Sequence, residues 1–170
     1  KPDYADAHNN LGATLQELGQ LDEAVKSYEE VLAIKPDFAE MHNNLGVVFQ
    51  ELGELDAAVK SFEEALAIKP EFTEAHNNLG ITLKELGQLD AAVKQYKKAL
   101  AINPNYAQAH LNLGLVYQKR GQVDDAVKCY EKTLAIQPDY AEAHNNLGNT
   151  LMELGQLDAA LKCCKQALAI

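Results

Sequence analysis

The sequence predicts an all-α protein in which five helical hairpins stack in chain order as an α-solenoid. Two observations carry this prediction. Proline recurs every 34 residues, at Pro2, Pro36, Pro70, Pro104 and Pro138. Between prolines, each unit shows two stripes of apolar residues at helical spacing, separated by a glycine. Five units of this length account for all 170 residues, so the period leaves no room for a separate domain.

The period divides the chain into five equal repeats. They are residues 1–34, 35–68, 69–102, 103–136 and 137–170, which together form a single array over 1–170. The chain begins with Lys1 and Pro2 and has no initiator methionine. We therefore interpret it as a segment of a longer protein or as a trimmed chain, with any targeting signal outside it.

Each repeat is predicted to contain two amphipathic helices. The first stripe of repeat one is Ala7, Leu11, Thr14, Leu15 and Leu18. The second stripe is Leu21, Ala24, Val25, Tyr28, Val31 and Leu32. Gly19 separates the two helices, because glycine tolerates the left-handed conformation that ends a helix. Pro36 ends the second helix, because the residue before a proline is pushed out of the helical region.

Small residues recur where the two helices of a repeat are expected to cross. Gly12 and Ala24 are the members of these columns in the first repeat. A larger side chain would hold the helices apart, so we expect close approach of the two backbones there. One hairpin cannot bury both of its faces alone, and stacking of neighbouring hairpins completes the core.

A fixed set of positions recurs in all five repeats. In the second repeat these residues are His42, Leu45, Gly46, Phe49, Ala58, Phe62, Ala65 and Pro70. This pattern resembles the tetratricopeptide repeat over the whole chain, without insertions. The departures are histidine in the first large-residue position, Cys164 at an aromatic position, and Arg120 where the sister repeats have leucine. The resemblance implies a right-handed superhelical α-solenoid with a concave and a convex face.

The resemblance also implies binding without catalysis. We expect a non-catalytic protein–protein interaction scaffold that holds an extended peptide or a partner helix in its concave groove. One alternative is a structural module that stacks end to end into oligomers or filaments. Another is the substrate-presenting arm of a larger enzyme, such as a glycosyltransferase.

By analogy with the family, columns of the first helices line the groove. The candidate peptide-binding residues are asparagines with apolar residues between them. They are Asn9, Asn10, Asn43, Asn44, Val47, Asn77, Asn78, Ile81, Asn112, Leu115, Asn145 and Asn146. The column that starts at Asn10 is asparagine in every repeat. A carboxamide both donates and accepts, so this ladder could grip a peptide backbone; alternatively, the asparagines bond neighbouring helices.

The charge of the chain favours a neutral or basic protein or peptide as the partner. The net charge is −10, and the first two repeats carry −5 each. Acidity disfavours nucleic acid, whose phosphates need a basic surface, and no apolar run reaches the roughly 18–20 residues of a membrane span. The candidate groove columns at Asp6, Asn9 and Asn10 contain no Lys or Arg in any repeat, which argues against a clamp for a terminal carboxylate.

The remaining reactive side chains predict neither a metal site nor a cofactor site. The five histidines are 34 residues apart, a spacing that favours packed rings over ligands. Cys129, Cys163 and Cys164 are too few for a disulfide framework, which favours a reducing compartment and a cytoplasmic location. The stripe of Leu161, Cys164 and Leu168 has no following helix in this chain, so we also consider an end-to-end homo-oligomer.

Overall fold

The structure is a computed structural model that describes residues 2–170, with side chains described from residue 4 onward. Within this range the regular secondary structure consists of ten α-helices. They are α1 (Pro2–Glu17), α2 (Leu21–Ile34), α3 (Ala39–Glu51), α4 (Leu55–Ile68), α5 (Thr73–Glu85), α6 (Leu89–Ile102), α7 (Ala107–Lys119), α8 (Val123–Ile136), α9 (Ala141–Glu153) and α10 (Leu157–Ala169). Odd-numbered helices are the first of each repeat and even-numbered helices the second, which confirms the all-α prediction.

A glycine forms the turn inside each hairpin, as its position in the sequence predicts. Gly19 has φ 71° and Gly53 has φ 77°, in the left-handed region that a Cβ atom makes costly. The following residue then closes the turn. The backbone N–H of Gln20 donates to the Leu15 carbonyl at 2.9 Å, and Glu54 repeats this bond at 2.8 Å. This pattern is the Schellman type of helix ending.

The chain divides into two compact units, Lys1–Gly87 (unit 1) and Gln88–Ile170 (unit 2). In unit 1, α1 pairs with α2 and α3 pairs with α4, while α2 packs on α3 and α4 packs on α5. In unit 2, α7 pairs with α8 and α9 with α10, while α6 packs on α7 and α8 on α9. Each unit is therefore a stack of sequence neighbours, as expected of an α-solenoid.

Inside several hairpins, an aromatic ring on the second helix faces a glycine on the first. Three of these rings belong to Tyr28, Phe62 and Tyr130, each at most 1% exposed. A Cβ atom added to Gly114 would lie 2.6 Å from the Tyr130 ring. At Gly12, Gly46 and Gly114 the missing Cβ leaves room for an aromatic side chain, whereas at Gly148 the backbone oxygen of Ala160 lies 3.4 Å from an added Cβ, a close backbone approach of the predicted kind. In the fifth repeat, Cys164 takes the place of the ring and faces Gly148.

The first-helix stripe is buried where a hairpin precedes it and exposed where none does. In repeat two, Met41, Leu45 and Val48 are buried and pack in one core cluster with residues of α2. In repeat one, the equivalent stripe includes Leu11, which is 50% exposed. The prediction of an apolar stripe is right, but its burial depends on a neighbouring hairpin. On α10, which pairs with α9, Leu168 is 89% exposed because no later helix of the described residues packs on it.

Candidate peptide-binding face of the first helices

Four of the first helices, α3, α5, α7 and α9, are each attached to the loop before them by a histidine. Nε2 of His42 lies 2.9 Å from the Pro36 carbonyl oxygen, and the same bond recurs in the next three repeats. A carbonyl only accepts, so Nε2 carries a proton and donates. The histidine column therefore has a structural role. Across the part of the chain that the structure describes, no group of three His, Cys, Asp or Glu side chains could hold a metal ion.

The column that starts at Asn9 is largely buried in the second, third and fourth repeats. Asn43 is 8% exposed, Asn77 is 2% and Leu111 is fully buried. In the outer repeats Asn9 is half-buried and Asn145 is exposed. In the middle of the chain, therefore, the predicted site residues Asn43 and Asn77 offer little surface to a ligand.

The column that starts at Asn10 makes hydrogen bonds to the neighbouring first helix and within its own. Nδ2 of Asn78 donates to Oδ1 of Asn43 at 3.1 Å, which joins α5 to α3. Asn112 is buried and accepts from Gln108 at 3.5 Å. Asn10 is exposed, whereas Asn44, Asn78 and Asn146 are half-buried. These bonds agree with the alternative that the asparagines connect neighbouring helices, although Asn78 uses only one of its two Nδ2 hydrogens in the bond to Asn43.

Asn146 shows what happens when the acceptor is missing. Its Nδ2 is buried and has no hydrogen-bond partner. Asn78 bonds to the residue 35 positions before it, and the residue 35 positions before Asn146 is Leu111, which has no acceptor. The Leu111 side chain therefore interrupts the asparagine connections in unit 2.

A second series of side-chain bonds, which we call the Gln–Glu bridges, joins first helices at the edge of the candidate groove. Nε2 of Gln16 donates to Oε1 of Glu51 at 2.8 Å, and Gln118 donates to Glu153 at 3.2 Å. Gln50 and Glu85 repeat the contact at 3.5 Å. The sequence analysis did not predict these bridges. The available signal was the 35-residue offset between a glutamine and a glutamate column.

The accessible part of this face is clearest in unit 1. Val47 on α3 and Ile81 on α5 occupy the same repeat position and are both half-buried, one helical turn after Asn44 and Asn78. Exposed carboxylates lie before and after them on the same helices, at Glu40, Glu51, Glu74 and Glu85. In unit 2, Leu115 is the half-buried equivalent of Val47 on α7. The face combines apolar side chains, carboxamides and acidic edges.

Family models cover the chain from end to end. Models described as TPR repeat match residues 15–53, 51–87, 82–121 and 119–155. Models described as tetratricopeptide repeat match residues 141–170 and 1–26. The chain therefore belongs to the tetratricopeptide repeat family, whose α-solenoids serve as protein–protein interaction scaffolds.

Solved structures agree with this assignment. A crystal structure of MamA is 31% identical over 93% of this chain and 92% of its own, with a TM-score of 0.84. PilF from Pseudomonas aeruginosa is 24% identical over 99% of this chain and 77% of its own, with a TM-score of 0.91. YrrB, described as a TPR protein with an unusual peptide-binding site, is 23% identical over 95% and 84%, with a TM-score of 0.74. The last two show the fold alone. No curated protein sequence matches the chain significantly.

The helices of the described residues were also compared with the requirements of a membrane span. None of them combines the length and the apolar character that crossing a bilayer demands.

Proposed function

We propose that the first-helix face of unit 1 binds an extended peptide or a partner helix of neutral or basic character. The observation that carries this proposal is the pair Val47 and Ile81, two partly accessible apolar side chains at equivalent positions of α3 and α5. An apolar pair of this kind offers an anchor for ligand side chains. Asn44 and Asn78, one turn earlier, can bond a peptide backbone at the same time.

The exposed carboxylates give the face its preference for basic ligands. Glu40 and Glu74 lie before the apolar pair, and Glu51 and Glu85 lie after it. Their field attracts cationic segments and raises the association rate more than the final affinity. Association should therefore slow as salt is added, because salt screens exposed charges. The similarity to YrrB, described as having a peptide-binding site, is consistent with this role.

Selection of peptides from a random displayed library on the 170-residue chain, followed by calorimetry, tests the proposal. We expect selected peptides to be neutral or basic. The double variant Val47→Arg with Ile81→Arg should weaken their binding at least tenfold. The matched control, Glu30→Gln with Glu63→Gln on α2 and α4, makes the same change of +2 in net charge elsewhere on unit 1 and should retain most of the affinity. Equal affinities of the two double variants would refute the assignment.

A second candidate function, end-to-end association, rests on exposed apolar side chains at the outer hairpins. Leu157, Leu161 and Leu168 on α10 are 66%, 55% and 89% exposed, and Tyr4 and Leu11 on α1 are 59% and 50% exposed. Large exposed apolar patches favour association, and a head-to-tail contact between copies need not close. Light scattering of the chain over a concentration series should show a rising mass, which Leu161→Lys with Leu168→Lys abolishes. A constant monomer mass would exclude this candidate.

We also propose a reducing compartment such as the cytoplasm. Cys129, Cys163 and Cys164 are free thiols, and free thiols are typical of reducing compartments. Microscopy of the tagged full-length protein tests the location; secretion would contradict it.

A further inference from the structure

A cleft of about 620 Å³ opens between the second helices α2 and α4 of unit 1, with residues of α3 also in its lining. Its lining includes the apolar side chains of Leu32, Leu45 and Phe49, and the alanines Ala33 and Ala57. The cleft shares none of its lining residues with the candidate groove residues on the first helices. Its volume lies within the roughly 300–1,000 Å³ that is typical of ligand sites in proteins.

The cleft is surrounded by negative charge. Glu29 on α2 and Glu64 on α4 belong to its lining together with one cation, Lys60. The α2 and α4 segments together carry a net charge of −5. The corresponding helices of the last two repeats, α8 and α10, together carry no net charge, and Gln166 stands at the position of Glu64. Unit 1 therefore combines an apolar cleft with an acidic surround that the fourth and fifth repeats do not reproduce.

We propose that the α2–α4 cleft binds a large apolar side chain of a peptide segment in which lysine or arginine residues flank that side chain. The apolar side chain leaves water by contacting Leu32, Leu45 and Phe49. The flanking cations meet Glu29 and Glu64 at the rim, where charge-assisted hydrogen bonds form. Charge complementarity selects this occupant over an acidic or purely apolar segment. The site differs from the groove under Proposed function, because it shares none of the groove residues, although Leu45 and Phe49 of its lining lie on the first helix α3.

The absence of tryptophan from the chain makes a direct test available. The probe is a blocked heptapeptide with two lysines on each side of a central Gly-Trp-Gly. Its tryptophan emission should shift to the blue on saturable binding to the 170-residue chain, because the indole enters an apolar site. The analogue with aspartate in place of all four lysines should bind at least tenfold more weakly.

Substitutions in the cleft test whether the probe peptide binds there. Ala33 is exposed, so Ala33→Phe should fill the cleft without disturbing the core and should weaken binding at least tenfold. The matched control is Ala135→Phe at the same repeat position on α8, which should leave binding unchanged. Glu29→Gln and Glu64→Gln should each weaken binding about threefold. Their effects should shrink at high salt.

Two results would overturn the inference. One is equal binding by the Ala33→Phe and Ala135→Phe variants. The other is loss of binding in the Val47→Arg, Ile81→Arg variant with retention in Ala33→Phe, since the peptide would then occupy the first-helix groove. The reverse result, with the cleft variant impaired and the groove variant intact, supports the cleft and leaves the groove proposal to its own test.

Discussion

The hydroxyl of Tyr130 donates a hydrogen bond of 3.0 Å to Oε1 of Gln118. Through its amide nitrogen, Gln118 then donates to Glu153 on the next first helix. A buried side chain of one hairpin is thus connected through one carboxamide to the hairpin that follows. Tyr28 and Gln16 repeat the arrangement at 3.3 Å, which makes it a feature of the repeat and not of one site.

Removing the tyrosine hydroxyl should loosen this connection. Tyr130→Phe loses one hydrogen bond and keeps the ring, so we expect a loss of about 1 kcal/mol in the free energy of unfolding. Phe62→Tyr is the reciprocal change in repeat two, where Gln50 now lacks a tyrosine donor. It should be neutral or stabilising. Urea unfolding measures both; a Tyr130→Phe variant as stable as the parent would show that the bond contributes nothing.

The glycines that face aromatic rings should not tolerate alanine. In an open helix, glycine to alanine gains about 1 kcal/mol. At Gly114 the new Cβ would lie 2.6 Å from the Tyr130 ring, and overpacking of this kind costs about 1–3 kcal/mol. We therefore expect Gly114→Ala to lower the melting temperature. The Cβ of Gly148→Ala would lie 2.9 Å from the Cys164 sulfur and no closer than 3.4 Å to any other atom of α10, so this variant should lower the melting temperature less. Equal losses in the two variants would contradict this account of the hairpin core.

The three thiols should react at different rates. Burial raises the pKa of the Cys129 thiol to about 11, so at pH 8 only roughly one molecule in a thousand carries the thiolate there. Burial also raises the pKa of Cys163, whereas Cys164 is more accessible than either. Titration with a disulfide reagent at pH 8 should show one fast thiol, which Cys164→Ser removes. A fast phase that survives this substitution would be inconsistent with the burial of the other two.

The ion pair between Lys69 and Glu40 should depend on pH. A hydrogen bond of 2.8 Å from Lys69 Nζ, together with the lysine charge, holds the pKa of Glu40 below its ordinary value. A carboxyl whose folded pKa is depressed contributes stability above the unfolded pKa and loses it as the pH falls through the folded pKa. Because both side chains are about half exposed, the coupling should be only about 0.2–1 kcal/mol.

A double-mutant cycle of Glu40→Gln and Lys69→Met measures this coupling. It also cancels the separate contact of Lys69 with the Phe72 ring, at 4.6 Å. We expect a measurable coupling at pH 7 and almost none at pH 3. The same coupling at both pH values would mean that the carboxylate charge is not responsible.

Asn146 should be replaceable where Asn78 is not. Asn78→Leu leaves the buried Oδ1 of Asn43 without the donor that it has now, at an expected cost of about 1–3 kcal/mol. Asn146→Leu removes a buried nitrogen that already lacks a partner, so it should be neutral or stabilising. Denaturant midpoints decide between these outcomes; a larger loss for Asn146→Leu than for Asn78→Leu would rule out the proposed role of Leu111.

The helices and turns could be predicted because the same pattern of apolar stripes, glycine and proline recurs in every repeat. Gly19 and its four equivalents all have positive φ, as their position before a second helix suggests. Burial was harder to predict. Asn43 and Asn44 are adjacent in sequence and alike in chemistry, yet Asn43 is buried and Asn44 half-buried. The angle at which α3 packs on α5 decides which one is covered, and no local pattern specifies that angle.

In the candidate site too, the position of a residue on its helix could be predicted, whereas its burial and its contacts could not. Val47 and Ile81 were predicted to line the groove, and both remain partly accessible. Leu111 was grouped with a groove column but is fully buried, because an apolar side chain at a helix contact is driven inward. The bond from His42 to the Pro36 carbonyl was not predicted at all. It depends on the path of the loop, which the sequence period alone does not describe.

The Gln–Glu bridges have a consequence for the design of a longer protein in which another hairpin is added after the fifth. The donor always comes from the glutamine near the end of the earlier first helix, and the acceptor lies 35 residues later. In the fifth repeat Met152 occupies the glutamine position and offers no amide donor. A copied repeat placed after the fifth would contain the glutamate acceptor, but residue 152 would not provide the amide donor. Met152→Gln would supply that donor.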